Sequence, residues 1–350
     1  GVEGGGHVKW MRDRDGDGQV DEMKIFAEGL SYPTSVMPWR DGALIIAAPD
    51  ILFAHDEDGD GQADRIEPLL TGIEESNPQH RASGFDIGLD GWLHFAVGHG
   101  TKELLSHRNG KTYAVAGRDA AWNPDTGELR TTAGETQFVR GRDAFGNWFG
   151  NSNSLPMYQF VIDDRYLQHA SVAGGPRQDL LTPAVAPPVY PRSRIVERFN
   201  DLFALNRFTS ACSAIVIRVP GVNRDPDRTE ALVCEPVHNL VARIELNPTG
   251  SVFTAAHEPD AEQFDFFTSI DPWSRPVRAI NAPDGTVWIV DMVRRVIEHP
   301  EWIPTAWQER LDLRSGSQLG RIYRVCYSDY QAEPMKALTD NRRILQALAS

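Results

Sequence analysis

Cysteine is scarce in this 350-residue chain, which has three in all, and no two are spaced Cys-x-x-Cys. A zinc ribbon or an attached c-type haem within these residues is thereby disfavoured. No run approaches the roughly 20 apolar residues that a membrane helix requires. Basic charge is also short, with 35 Lys and Arg against 49 Asp and Glu and a formal net charge of −14. Phosphate binding needs a basic surface, so a nucleic-acid partner is disfavoured. The chain starts at Gly1 without a leader-peptide pattern and runs at once into a strand-like segment. It reads as a domain entered part-way, and residues 331–350 read as the start of a truncated helical region.

Turn formers, by contrast, are plentiful: 30 Gly and 23 Pro in a chain that is 41% hydrophobic and 24% charged. That composition suits a soluble domain of many short strands. Internal similarity points to the architecture. Asp13-Arg-Asp-Gly-Asp-Gly-Gln-Val-Asp21 returns 43 positions later as Asp56-Glu-Asp-Gly-Asp-Gly-Gln-Ala-Asp64, and Gly29 and Gly72 keep the same offset. A period of about 40–50 residues is that of propeller blades. A second recurring element is Asp-Gly followed by an apolar run, at Asp41–Ala47, Asp90–Ala96 and Asp284–Val290. Weaker copies stand at Gly146–Asn151 and Asn200–Leu205. These runs read as inner strands buried on both faces. The segments 243–246 and 321–325 read as outer strands, and the polar stretch Thr101–Gln137 as a loop inserted over one face. The expectation is an all-β propeller of about six blades over residues 1–330, and a β-sandwich of repeated hairpins is the alternative.

The aspartate loops place carboxylates at positions 1, 3, 5 and 9, with Gly at position 6 for a sharp turn and a backbone carbonyl at position 7. Candidate calcium ligands are therefore Asp13, Asp15, Asp17, Gln19 and Asp21, then Asp56, Asp58, Asp60, Gln62 and Asp64. The first loop has Lys24 at position 12; the second has Glu67 there, in a strand-like segment. With no flanking helices, these read as calcium-type loops on hairpins and not as EF-hands. Cys212 and Cys234 lie in strand-like segments that could be neighbours. A disulfide between them is feasible, as are two buried thiols, and Cys326 would be unpaired.

Several motifs together resemble the membrane-bound dehydrogenases of planctomycetes and verrucomicrobia, PVC-type haem-binding proteins. They are the paired Asp-Gly-Asp-Gly loops, Ala211-Cys-Ser-Ala-Ile-Val, Val233-Cys-Glu-Pro-Val-His-Asn-Leu-Val241, Asp271-Pro-Trp-Ser-Arg-Pro-Val-Arg278, Asp291–Trp302 and Gly320-Arg-Ile-Tyr-Arg-Val325. That family is in turn distantly similar to the soluble quinoprotein glucose and sorbosone dehydrogenases. The resemblance implies a periplasmic or extracellular enzyme, membrane-anchored at full length, with haem in a downstream module. It implies oxidation of a sugar or sugar alcohol, with pyrroloquinoline quinone as cofactor and a cytochrome c module as electron acceptor. His80, placed before Gly84–Leu93, matches the catalytic base, and Arg142 in Arg142-Asp-Ala-Phe-Gly146 matches an arginine that stabilises reduced quinone. Arg278 matches a cofactor-carboxylate partner. Arg275 stands one residue out of register with a second, and His238 lies where the quinoproteins place a lysine. The carbonyls that hold catalytic calcium in those enzymes have no counterpart, and Gly150-Asn-Ser-Asn-Ser-Leu155 stands in their place. A non-catalytic carbohydrate- or protein-binding propeller is the competing reading, with Trp122, Trp148, Trp273 and Trp302 as stacking candidates. His299 and Glu301 read as structural.

Overall fold

The computed structural model describes residues 5–167, 177–193, 206–225, 227–298 and 303–331. Among them the chain is all-β, with only the one-turn helices α1 (Asp164–Leu167) and α2 (Thr305–Gln308) and a 3-10 turn at Pro236–His238. It opens with a two-stranded ribbon, β1 (Gly6–Arg12) and β2 (Glu22–Leu30). Blade one follows as β3 (Ser35–Trp39), β4 (Gly42–Ala47), β5 (Asp50–His55) and β6 (Arg65–Thr71). Blade two begins with β7 (Arg81–Ile87) and β8 (Leu93–Gly98). The chain then leaves it for β9 (Glu103–Ser106) and β10 (Thr112–Ala114), which extend blade one beyond β6. It returns as β11 (Asp119–Trp122) and β12 (Leu129–Thr132) to complete blade two. The segment expected to be an inserted loop therefore supplies the outer strands of two blades and staples them together.

Blade three is β13 (Gly141–Arg142), β14 (Trp148–Ser152), β15 (Leu155–Phe160) and β16 (Arg177–Asp179). Blade four is β17 (Cys212–Val216), β18 (Thr229–Glu235), β19 (Leu240–Thr249) and β20 (Val252–Ala256), with β21 (Phe267–Thr268) also pairing β19. Blade five is β22 (Pro276–Asn281), β23 (Val287–Asp291) and β24 (Arg321–Val325). The described residues thus form a β-propeller of five blades plus a ribbon, where about six blades were expected. Residues 332–350, where a helical start was expected, lie outside the described residues, as does the strand expected at Asn200–Leu205.

The Asp-Gly runs are the second strand of each blade and not the innermost. In the three clear cases they form β4, β8 and β23, and the innermost strands are β3, β7, β13, β17 and β22. An innermost strand has one edge on the central channel, so β3 alternates between half-buried and exposed while β4 is buried almost throughout. Neighbouring innermost strands are sewn side by side. Thr34 Oγ1 donates to the Ala82 carbonyl at 2.6 Å, and the Gly84 amide donates to Ser35 Oγ at 2.6 Å. Arg142 Nε donates to the Ile87 carbonyl at 2.6 Å, joining blades two and three. Ser213 Oγ accepts from the Ala279 amide at 3.0 Å, joining blades four and five. The strands therefore run in the same sense, from an entry mouth where they begin to an exit mouth where they end.

Between blades two and three the seam holds charge. Arg140 and Asp119, both buried, pair at 3.2 Å, and the guanidinium lies over Trp148 and Phe160. The His94 ring stacks on Trp148 at 4.0 Å. Burial first, and then the nearby Arg140 charge, hold its pKa down at about 3. In the unfolded chain this imidazole takes up a proton near its ordinary 6.5. The native state binds fewer protons between those values, so stability falls as pH drops through that window, by up to ~1.4 kcal/mol per pH unit. Urea denaturation should show His94→Gln losing about that much less stability per unit between pH 6 and pH 4. Parallel slopes for variant and wild type would refute the assignment.

Candidate functional site

Position along an innermost strand decides which side chains can meet. At the entry mouth, His80 directly precedes β7. Its half-buried ring stands edge-on to that of His99 at 4.6 Å, and His99 faces Glu135 at 3.8 Å. Burial and then the His99 charge lower the His80 pKa, which keeps the imidazole neutral and basic at pH 7.

On the same side, the Pro236–His238 turn joins β18 to β19. It holds His238 fully buried, with Nδ1 2.9 Å from Glu235 Oε1. The carboxylate only accepts, so Nδ1 carries the hydrogen, and Nε2 has no protein partner. Glu235 is fixed in turn by the Thr209 and Ser210 amides at 3.2 and 3.0 Å and by Ser210 Oγ at 2.6 Å.

Arg275 directly precedes β22. Its guanidinium donates to the carbonyls of Pro236, Val237, Arg294 and Arg295 at 2.9–3.3 Å, and burial lowers its pKa to about 10. With its donors committed to loop carbonyls, Arg275 is a clamp that holds the His238 turn against blade five.

The exit side is built differently. Asp86, near the end of β7, lies 3.9 Å from Arg218, which follows β17. Burial raises the Asp86 pKa, and Arg218, Arg142 and Arg278 all oppose that rise. Four blades thus deliver one carboxylate and three guanidinium groups to one region of the channel. Arg142 spends Nε and Nη1 on the carbonyls of Ile87 and Asp143. Arg278, in the middle of β22, is different: its Nη1 is buried and has no hydrogen-bond partner. Burial depresses its pKa, with Asp86 the largest opposing influence. An uncommitted guanidinium beside two other cations is a ready receptor for an anion.

The structure therefore brings His80, His238 and Arg275 to the entry side, and Arg142 and Arg278 to the cluster around Asp86. It does not bring His80 and Arg142 together. Arg142 is bonded to the far end of β7, a strand whose seven residues span roughly 20 Å. Asp86 and Arg218 were missed from the sequence. The available signal was a charge inside an apolar strand segment, Gly84-Phe-Asp-Ile-Gly.

The tryptophans are mostly structural. Trp122 is fully buried, Trp148 lies beneath His94, Trp273 is half-buried, and Trp302 lies outside the described residues, as do His299 and Glu301.

Both aspartate loops connect hairpin strands, β1 to β2 and β5 to β6. Ligand oxygens of Asp13, Asp15 and Asp21 lie within 4.8 Å of one another, as do those of Asp56, Asp58 and Asp64. Asp17 and Asp60 instead accept from the amides of Gln19 and Gln62 at 2.6 and 2.7 Å, and Asp60 also holds the Gln62 side-chain amide. The three cysteines are free thiols.

The chain belongs to the family DUF7133, described as a domain of unknown function, whose model matches residues 1–329. Comparison with curated proteins gives no match. Among solved structures, a luciferin-regenerating enzyme is 9% identical at a TM-score of 0.46, over 89% of this chain and 82% of that one. A Thermus thermophilus protein whose description names glucose dehydrogenase is 13% identical at a TM-score of 0.46, over 87% of each chain. The quinone-bound aldose sugar dehydrogenase of Streptomyces coelicolor is 10% identical at a TM-score of 0.31, over 76% of this chain and 90% of that one. At these values the likenesses assign no chemistry. No helix among the described residues is long and apolar enough to cross a membrane.

Proposed function

We propose that this DUF7133 member is an oxidoreductase-like propeller that dehydrogenates a sugar or sugar alcohol and passes the electrons to a quinone and then a haem acceptor. The observation that carries the reading is the unpartnered Nη1 of Arg278, set among Arg142, Arg218 and Asp86 in the channel. Those donors fit a small planar polycarboxylate such as pyrroloquinoline quinone. Arg278 and Arg218 would hold its carboxylates, and the quinone, when bound, supplies the hydride acceptor. His80, neutral at pH 7, stands at the opposite mouth, roughly 20 Å along β7 from the arginine cluster, so it would meet a substrate on entry and lies out of reach of a quinone held there. His238 and Arg275 shape the wall of that mouth. The resemblance noted in the sequence supports a periplasmic or extracellular setting and a cytochrome c module as the partner.

The finer architecture follows from the repeat. The ribbon loop Asp13–Asp21 corresponds to the loop between the third and fourth strands of blade one, so β1 and β2 are the outer half of a sixth blade. Its packing supports this reading. Phe26, Ala27 and Leu30 pack against Ala43, Ile45 and Ala54 of blade one, while Arg324 of β24 lies beside Gly18 on the other flank.

The test uses chelator-stripped protein supplied with Ca²⁺ and pyrroloquinoline quinone. Quinone binding is followed by absorbance, and dye reduction is followed across a panel of sugars. Binding should weaken at least tenfold in Arg278→Ala, and His80→Ala should bind the quinone as tightly as wild type. A folded protein that binds no quinone would overturn the reading and favour a carbohydrate- or protein-binding propeller.

Calcium is proposed as a structural ion of the two aspartate triads, whose convergent carboxylates fit a hard cation. Millimolar Ca²⁺ should raise the melting temperature by about 3 °C or more over chelator. Asp56→Asn with Asp58→Asn should remove part of that gain. An unchanged melting temperature would reject the calcium role.

A further inference from the structure

On β17 and β18, Cys212 and Cys234 are directly opposed across the antiparallel ladder. Both are buried and free, and they pack in one cluster of the core. Directly opposed residues of an antiparallel pair have Cα atoms ~4.5–5.5 Å apart. That range falls inside the ~4.4–6.8 Å window that a disulfide accepts. Side chains at such positions leave the sheet on the same face, so the two thiols project toward one shared volume.

Two further features single out the position. Ser213, next to Cys212, has a φ of 54° within a register shift of the ladder, and its hydroxyl bonds Ala279 of blade five. Such irregularities increase local twist and let a strand adjust without breaking its neighbours. Cys212 Sγ also donates to the Val277 carbonyl at 3.4 Å, one residue from Arg278. The exposed Cys326 has no such arrangement.

We propose that Cys212 and Cys234 are a reversible redox pair, forming a cross-strand disulfide at the seam between blades four and five. The oxidant is a small-molecule or protein disulfide. Two S–H bonds break and one S–S bond forms, the two electrons reduce the oxidant's disulfide, and the two protons leave on its released thiols. Oxidation removes the S–H donor to Val277 and ties β17 to β18 beside the channel arginine. The pair thus links the redox state of the surroundings to the packing of that seam. This inference stands apart from the catalytic reading and does not need it.

The test begins by alkylating Cys326 in the native protein, which leaves the buried pair untouched. One arm holds the folded protein with oxidised glutathione at pH 8; a second refolds it from urea in a glutathione redox buffer. The expected product of both arms has lost two hydrogens by mass and yields a single linked peptide pair containing Cys212 and Cys234. It melts about 3–5 °C higher than the reduced form, and dithiothreitol reverses both changes. Two titratable thiols after both arms, or glutathione adducts on each cysteine, would overturn the proposal and leave the pair as packing.

Discussion

The common direction of the innermost strands is the constraint on which the rest depends. Each blade starts at the channel and finishes at the rim, so β3, β7, β13, β17 and β22 lie side by side and run from one mouth to the other. Seam bonds such as those between Ser213 and Ala279, or Arg142 and Ile87, fix this alignment residue by residue. A side chain's place along its strand then determines its neighbours in other blades. His80 and Arg275 meet the entry mouth because they precede β7 and β22. Asp86, Arg142 and Arg218 meet one another because they stand at or just beyond the ends of β7, β13 and β17.

That constraint also separates two kinds of arginine in the channel. Arg142 and Arg275 donate to backbone carbonyls and hold loops in place. Arg278 keeps a buried nitrogen without a partner. A guanidinium taken out of water and not fully hydrogen-bonded is costly. In the proposed reading an incoming anion supplies the missing acceptor, and Asp86 partly offsets the charge in the meantime. The neutral His94 under Arg140, and the Arg140–Asp119 pair, show the same economy in the seam between blades two and three.

Much of this was legible in the sequence, and for physical reasons. The 43-residue register of the aspartate loops relates the β1–β2 hairpin to the β5–β6 hairpin of blade one at a blade-sized spacing, so the repeat pointed to a propeller. The innermost strands were misplaced because hydrophobic runs mark strands covered on both sides, such as β4, whereas β3 faces the channel and alternates. The path of residues 101–137 was hidden because β9 and β10 add to a blade that the chain had already left. Arg278 was visible from its motif. Asp86 offered only a charge inside an apolar strand, and Arg218 no signal at all, since their meaning lies in a contact between blades two and four. Likewise, only the fold shows His80 and Arg142 at opposite ends of β7.

The most direct test of the central claim, that guanidinium groups from three blades form one anion receptor balanced by Asp86, is the affinity of Asp86→Asn for pyrroloquinoline quinone at several salt concentrations. Asp86 competes with the incoming carboxylate for the same cations, so the variant should bind at least tenfold more tightly, with a steeper loss of affinity as salt rises. An affinity equal to that of the wild type at every salt concentration would contradict the account, because Asp86 would then not share those arginines with the ligand.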